Sequence, residues 1–153
     1  MSEGLLPFGL GTMQIPGAWE ARSQITLLEP ESTLDADLKP TVSASRPRTN
    51  FVISRAASDG KDRYEARQEF LMNGAQAIPQ FKILSDEDLF FDDGVEGASV
   101  KLTFPATPVV QLVQQHVFRI DADLLTQIVV TVDTHRAREL EDNLLAVLKT
   151  YTV

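Results

Sequence analysis

The sequence predicts an α+β fold of one domain, residues 1–153, in which a curved antiparallel sheet packs against two helices. Three observations carry this. Residues 48–151 read as strand, helix, four strands in hairpin order, then a closing helix. Tight-turn signals join the four strands, which forces neighbours to run antiparallel. The length of 153 residues suits one core that buries roughly 68–70% of the unfolded surface.

The expected strands are Arg48–Arg55, Phe81–Phe91, Ala98–Phe104, Val110–Ile120 and Leu124–Val132. In Ala98–Phe104, Val100, Leu102 and Phe104 alternate with Ser99, Lys101 and Thr103, the period of a half-buried strand. Asp92-Asp93-Gly94 supplies the hairpin before it, because Asp and Gly tolerate positive φ. Ile120-Asp121-Ala122-Asp123-Leu124 supplies a second turn. Val110–Ile120 is apolar on both faces, with Gln111, Gln114, Gln115 and His116 among Val, Leu and Phe, so it belongs mid-sheet under two covers.

The first helix, Lys61–Ala77, follows Asp59-Gly60-Lys61-Asp62, which offers an Asp N-cap, and stops at Gly74 and Pro79. Tyr64, Phe70, Leu71, Ala75 and Ile78 are its expected apolar face. The second, Thr134–Tyr151, is capped by Asp133 or Thr134 and carries Ala137, Leu140, Leu144, Leu148 and Tyr151 at spacings of three and four, one stripe against a sheet. Towards the N-terminus, Leu10–Ile15 and Gln24–Glu29 read as two strands joined through Pro16-Gly17-Ala18-Trp19, with Trp19 closing one end of the core. Pro30, Pro40 and Pro47 punctuate a Pro-rich loop at about residues 30–48.

Composition excludes several functions. The net charge of −8, from 22 acidic and 14 basic residues, with no basic run, argues against nucleic-acid partners and anionic membrane surfaces. The absence of cysteine removes disulfides, thiolate metal sites and cysteine nucleophiles. The N-terminus lacks a basic region before a continuous apolar run, and no stretch approaches the ~20 apolar residues of a membrane span, so the expectation is a cytoplasmic protein without stable membrane insertion.

No residue set expects catalysis, metal binding or a cofactor. His116 and His135 have no second ligand at metal spacing, and their plain readings are a satisfied, half-buried sheet residue and a solvated helix start. Ser54, Ser58 and Ser85 lie in no nucleophile elbow. Gly9-Leu10-Gly11 lacks the third glycine and the helix of a dinucleotide site and reads as a strand irregularity. The acids of Ser85-Asp86-Glu87-Asp88 and Asp92-Asp93…Glu96 read as solvated hairpin edges, although they could attract a hard cation. Arg136, Arg138 and Lys149 read as a solvated helix face. Gln114, between Leu112 and His116 on one face, either bonds a neighbour or lines a groove and bonds a guest chain.

The succession Ile15-Pro16…Trp19, Asn50-Phe51-Val52-Ile53-Ser54-Arg55, Asp59-Gly60, Ile78-Pro79-Gln80-Phe81-Lys82-Ile83-Leu84 and Val113-Gln114-Gln115-His116-Val117-Phe118, with the terminal amphipathic helix, resembles the DcrB-like family of PsbP-type folds. Within it, the chain is similar to the effector-associated chaperones of bacterial type VI secretion, over about Phe8 to Tyr151. It departs from that pattern in the Pro30–Arg48 insertion and in Arg22-Ser23, where an acid more often precedes the serine.

The resemblance implies a homodimer whose sheets form an apolar cradle. It implies a non-enzymatic chaperone or adaptor that holds the apolar N-terminal helices of a secreted effector protein. Ile25, Leu27, Ile53 and Gln114 are the partner-binding residues it implies, with plain core as the alternative for each aliphatic one. An accessory or regulatory protein-binding module of PsbP type, docking through loops such as Pro30–Arg48, stands as the alternative function.

Overall fold

The computed structural model describes residues 4–8, 11–15, 23–29 and 48–153, the first two segments by their backbone. Eight strands and two helical segments follow in order. They are β1 (Gly4–Phe8), β2 (Gly11–Ile15), β3 (Ser23–Leu28), β4 (Asn50–Ala57), α1 (residues 63–77), β5 (Lys82–Phe90), β6 (Glu96–Thr107), β7 (Val110–Asp121), β8 (Leu124–Asp133) and α2 (residues 134–149). Six strands form one antiparallel sheet in the order β3-β4-β8-β7-β6-β5, with α1 and α2 packed on it. The expected fold class and the four-strand meander are therefore present.

β7 lies third from one edge, and residues 112–119 are buried except the half-buried Gln114. That explains why it carries apolar residues on both faces. On one face, Val113 and Val117 of β7 join Ile128, Val130 and Val132 of β8 beneath Leu140 and Leu148 of α2. On the other, Val100 and Phe118 pack against Ala66, Phe70 and Leu71 of α1.

Turn chemistry sets the connections. Gly94 (φ 88°) turns β5 into β6, and Ala122 (φ 51°) turns β7 into β8. Before α1, Asp59 and Gly60 both adopt positive φ. Asp62 then caps the helix, its Oδ1 accepting from the Glu65 amide at 2.8 Å. Asp133 caps α2 by accepting from the His135 amide at 2.9 Å. Both helices widen by one turn, at Phe70–Gly74 and at Leu140–Leu144.

The structure corrects three expectations. β2 does not pair with β3: Ile15 lies opposite Gly4 and Gly11 opposite Phe8, while Ile25 lies opposite Ile53. Only Gly9 and Leu10 separate β1 from β2, and a short closure costs little entropy; Pro7 hid β1 by interrupting its apolar run, yet proline fits an edge strand. Tyr64 leaves the apolar face of α1, because six residues on a helix place it about 120° from Phe70; its ring is 39% exposed and its hydroxyl donates to Asp88 at 2.9 Å. Asp93 and Glu96 are ion-paired, to Arg119 (2.5 Å) and Arg63 (2.9 Å). The acids Asp86, Glu87 and Asp88 do lie exposed on the edge strand β5. Trp19, Gly9, Leu10 and residues 30–47 lie outside the described residues.

Candidate functional site

An apolar groove of about 530 Å³ opens between the β3–β4 edge of the sheet and α2. Strand parity builds its floor. Phe51 and Ile53 of β4 point to the α2 face, as does Ile128 of β8, which pairs with Ile53. Leu27 and Leu28 of β3 form one wall, and Leu144, Val147 and Leu148 of α2 form the other. The rim stays open to solvent: Leu27, Leu28 and Val147 are each just over half exposed. Ile25, 58% exposed, lies on the same face opposite Ile53 but is not among the residues that line the groove.

Each end of the groove is polar. At one end Arg136 grips Glu139 with Nε and Nη2, both at 2.9 Å, and reaches Glu29 Oε1 with Nη1 at 2.5 Å. The same Glu29 oxygen accepts from the Thr49 amide at 2.8 Å. These bonds hold the Arg136 guanidinium firmly charged, above its ordinary range. Thr49 Oγ1 is buried here without a hydrogen-bond partner. At the other end the Tyr151 hydroxyl accepts from Arg55 Nε and Nη2 at 2.8 and 2.5 Å, and lies 3.3 Å from Thr126 Oγ1. The Tyr151 carbonyl also accepts from buried Arg119, whose guanidinium is held by Asp93 and Asp121.

Of the four residues named from sequence, the structure brings Ile25, Leu27 and Ile53 to this face and puts Gln114 on the opposite one. Gln114 pairs with Thr131, donating to its Oγ1 at 3.1 Å, and its Oε1 accepts from His116 Nε2 at 2.8 Å. Gln127 donates to His116 Nδ1 at 3.2 Å, so His116 carries its proton on Nε2. Phe70 covers the imidazole at 4.2 Å between ring centroids. Burial lowers the pKa of His116 to about 4, so the ring is neutral at physiological pH. His116 is thus satisfied, and more buried than expected. It faces a second cavity, about 570 Å³, between α1 and the sheet, which mixes Phe70 and Phe118 with Lys61, Glu69 and Gln127.

Sequence reasoning missed the clasp. The helix pattern reads Arg136 as part of a solvated face, whereas it bridges α2 to Glu29 at the end of β3. Its bond to Glu139 follows from an i,i+3 spacing, whereas Glu29 lies 107 residues away and no local pattern connects them. Among the described residues, no three His, Cys, Asp or Glu side chains converge as a metal site would require. No helix among them is long and apolar enough to cross a membrane.

No protein-family model matches this chain, and no curated protein matches its sequence. A crystal structure of Pseudomonas aeruginosa PA94, a protein of unknown function and suggested regulator, superposes over 99% of this chain and 96% of its own, with a TM-score of 0.69 and 18% identity. That likeness defines a shared α+β fold. The Ran-binding protein Mog1p of Saccharomyces cerevisiae aligns over 94% of this chain and 84% of its own, with a TM-score of 0.42 and 13% identity.

Proposed function

We propose that this protein is a non-enzymatic, cytoplasmic chaperone or adaptor that holds an apolar helical segment of a partner protein in the groove between the β3–β4 edge and α2. The partner class is a type VI secretion effector with apolar N-terminal helices, as the sequence resemblance implies, and the working form is a homodimer. The observation that carries the reading is the groove itself: an apolar trough with a half-exposed leucine and valine rim on a chain of net charge −8. An apolar helix in water gains ~25 cal/mol for each Å² it buries there. The acidic surface keeps a protein soluble while such a trough stands open.

Leu27→Asp and Val147→Asp place a charge on the rim, where the side chains are already half exposed. Both variants should therefore fold, as circular dichroism would show, and should fail to co-purify the effector encoded beside the gene. Gln114→Ala tests the opposite face. It should cost stability, by stranding the His116 Nε2–H, and leave binding intact. Loss of binding in folded Gln114→Ala with retention in Leu27→Asp would move the guest to the α1 face and reject this groove.

A further inference from the structure

Among the described residues, the polar ties from side chains of α1 to the sheet all fall on one flank. Towards β5 and β6, Arg63 pairs with Glu96 at 2.9 Å, the Tyr64 hydroxyl donates to Asp88 at 2.9 Å, and Arg67 donates to the Ser99 carbonyl at 3.3 Å. Beneath the helix the apolar seam is small: Ala66, Phe70 and Leu71 rest on Val100, Phe118 and Leu125. Towards β4 and β8 lies the cavity of about 570 Å³, with Glu69 and Asn73 on the helix side and Ala56 and Gln127 on the sheet side. The chain also turns sharply at both ends of α1, where Asp59, Gly60 and Gln80 hold positive φ at 52°, 79° and 54°. An element tied along one flank, with a sharp turn at each end, is placed to swing.

His116 lies under the swinging element, 5% exposed beneath Phe70. Its neighbours on β6, β7 and β8 are Val100, Gln114, Val129 and Gln127, none of them charged. The charged groups that line the cavity beside it are Asp59, Lys61 and Glu69, and the last two pair with each other at 2.6 Å. No described carboxylate bonds to the ring. We propose that α1 is a proton-operated lid: it stays down while His116 is neutral, and lifts on its β5–β6 flank when Nδ1 takes up a proton from water. The sheet and α2 stay folded in the lifted state.

The geometry supplies the reason. A proton on Nδ1 meets the amide N–H of Gln127 that now donates to it, and that amide must turn round to offer its oxygen. The closed ring would then be a buried cation without a counter-ion, and the Phe70 face returns only part of that cost. Burial accordingly holds the closed ring's pKa at about 4, against 6.5 when water reaches it. Lifting α1 opens the cavity over the ring and lets water solvate the imidazolium. This lid is independent of the apolar groove, which lies on the other face of the sheet.

The test is residue-resolved hydrogen exchange on the full-length protein, expressed as protection relative to the unstructured chain. The amides of α1 should be less protected than the interior amides of β7 and β8 at every pH. Their protection should fall roughly fiftyfold to a hundredfold between about pH 7.5 and about pH 4.5. His116→Gln, which keeps a donor and an acceptor, should hold that fall below about threefold. If α1 loses protection only together with β7 and β8, the proton acts on the whole fold and the lid is overturned. A separate α1 opening with no pH response, or with the same response in folded His116→Gln, overturns His116 as the latch. The imidazole resonances of the parent decide the point if that variant does not fold. A ring still neutral at about pH 6, together with the fall in α1 protection, supports the lid. A ring already charged there while α1 keeps its protection shows that the closed lid tolerates the proton, and overturns the proposal.

Discussion

His116 shows how a single side chain ties this fold to pH. Its ring lies buried beneath Phe70, Nε2 donates to Gln114 and Nδ1 accepts from Gln127, so the folded state is built around the neutral form. The folded pKa of about 4 lies below the ordinary 6.5 of the unfolded chain. The unfolded state therefore binds a proton first as pH falls. Stability from this group is complete above about pH 6.5 and drains away between 6.5 and 4, by about 3 kcal/mol in total. Urea denaturation at several pH values should show that slope, and His116→Gln, which keeps a donor and an acceptor, should flatten it. A variant with the same slope as the parent would place the acid sensitivity in other groups. Asp93 acts in the same direction at lower pH, because its bonds from Arg119 hold its carboxyl below the usual carboxylate range.

At the scale of elements, the sheet depends on close approach where β5 turns into β6. A Cβ on Gly97 would lie 2.9 Å from the Phe91 ring, 3.1 Å from Val117 and 3.3 Å from the Phe118 carbonyl. The Phe91 ring in turn packs beside Arg119 and Tyr151, so it has little room to yield. Gly97→Ala should destabilise the protein by about 1–3 kcal/mol through overpacking. Chemical denaturation checks this, and a stability within 0.5 kcal/mol of the parent, roughly the scatter of surface substitutions, would show that Phe91 moves freely. The two edges of the sheet differ as plainly. β5 carries Lys82, Asp86, Glu87, Asp88 and a register shift between Ile83 and Ser85, all devices that discourage edge pairing. β3, Ser23–Leu28, has no charge and no proline, and all six of its residues are exposed. The edge without such devices is the one that walls the groove.

Across the whole molecule, charge and the apolar groove oppose each other. With a calculated isoelectric point near 4.7, the repulsion that separates copies at neutral pH vanishes as that pH is approached, while the rim of Leu27, Leu28 and Val147 remains. Solubility should pass through a minimum near pH 4.7, measured by light scattering across a pH series. Leu27→Asp should make that minimum shallower by breaking the patch. An equally deep minimum would assign the association to charge neutralisation alone.

The hairpin order of β5 to β8, the two caps, the hairpin turns and the central place of β7 were legible in the chain, because each is a local matter. Alternation with period two, a stripe at three and four, an Asp before a helix and a Gly after two Asp residues act within a few bonds of themselves. The same locality explains why the sequence reads Arg136 as part of a solvated helix face and gives no sign of Glu29, 107 residues away. It also explains the split of Ile25, Leu27 and Ile53 from Gln114. Alternation sorts each strand into two sets of side chains, but nothing within β3 or β7 says which set of one shares a face with which set of the other. Only the register across β4 and β8 joins them, Ile25 to Ile53 to Ile128 to Val117, and a slip of one residue would have reversed the assignment. Apart from β1, the sequence by itself determined which elements form and in what order; the tertiary structure decided which of their faces meet, because register and long-range ion pairs exist only once distant strands are side by side.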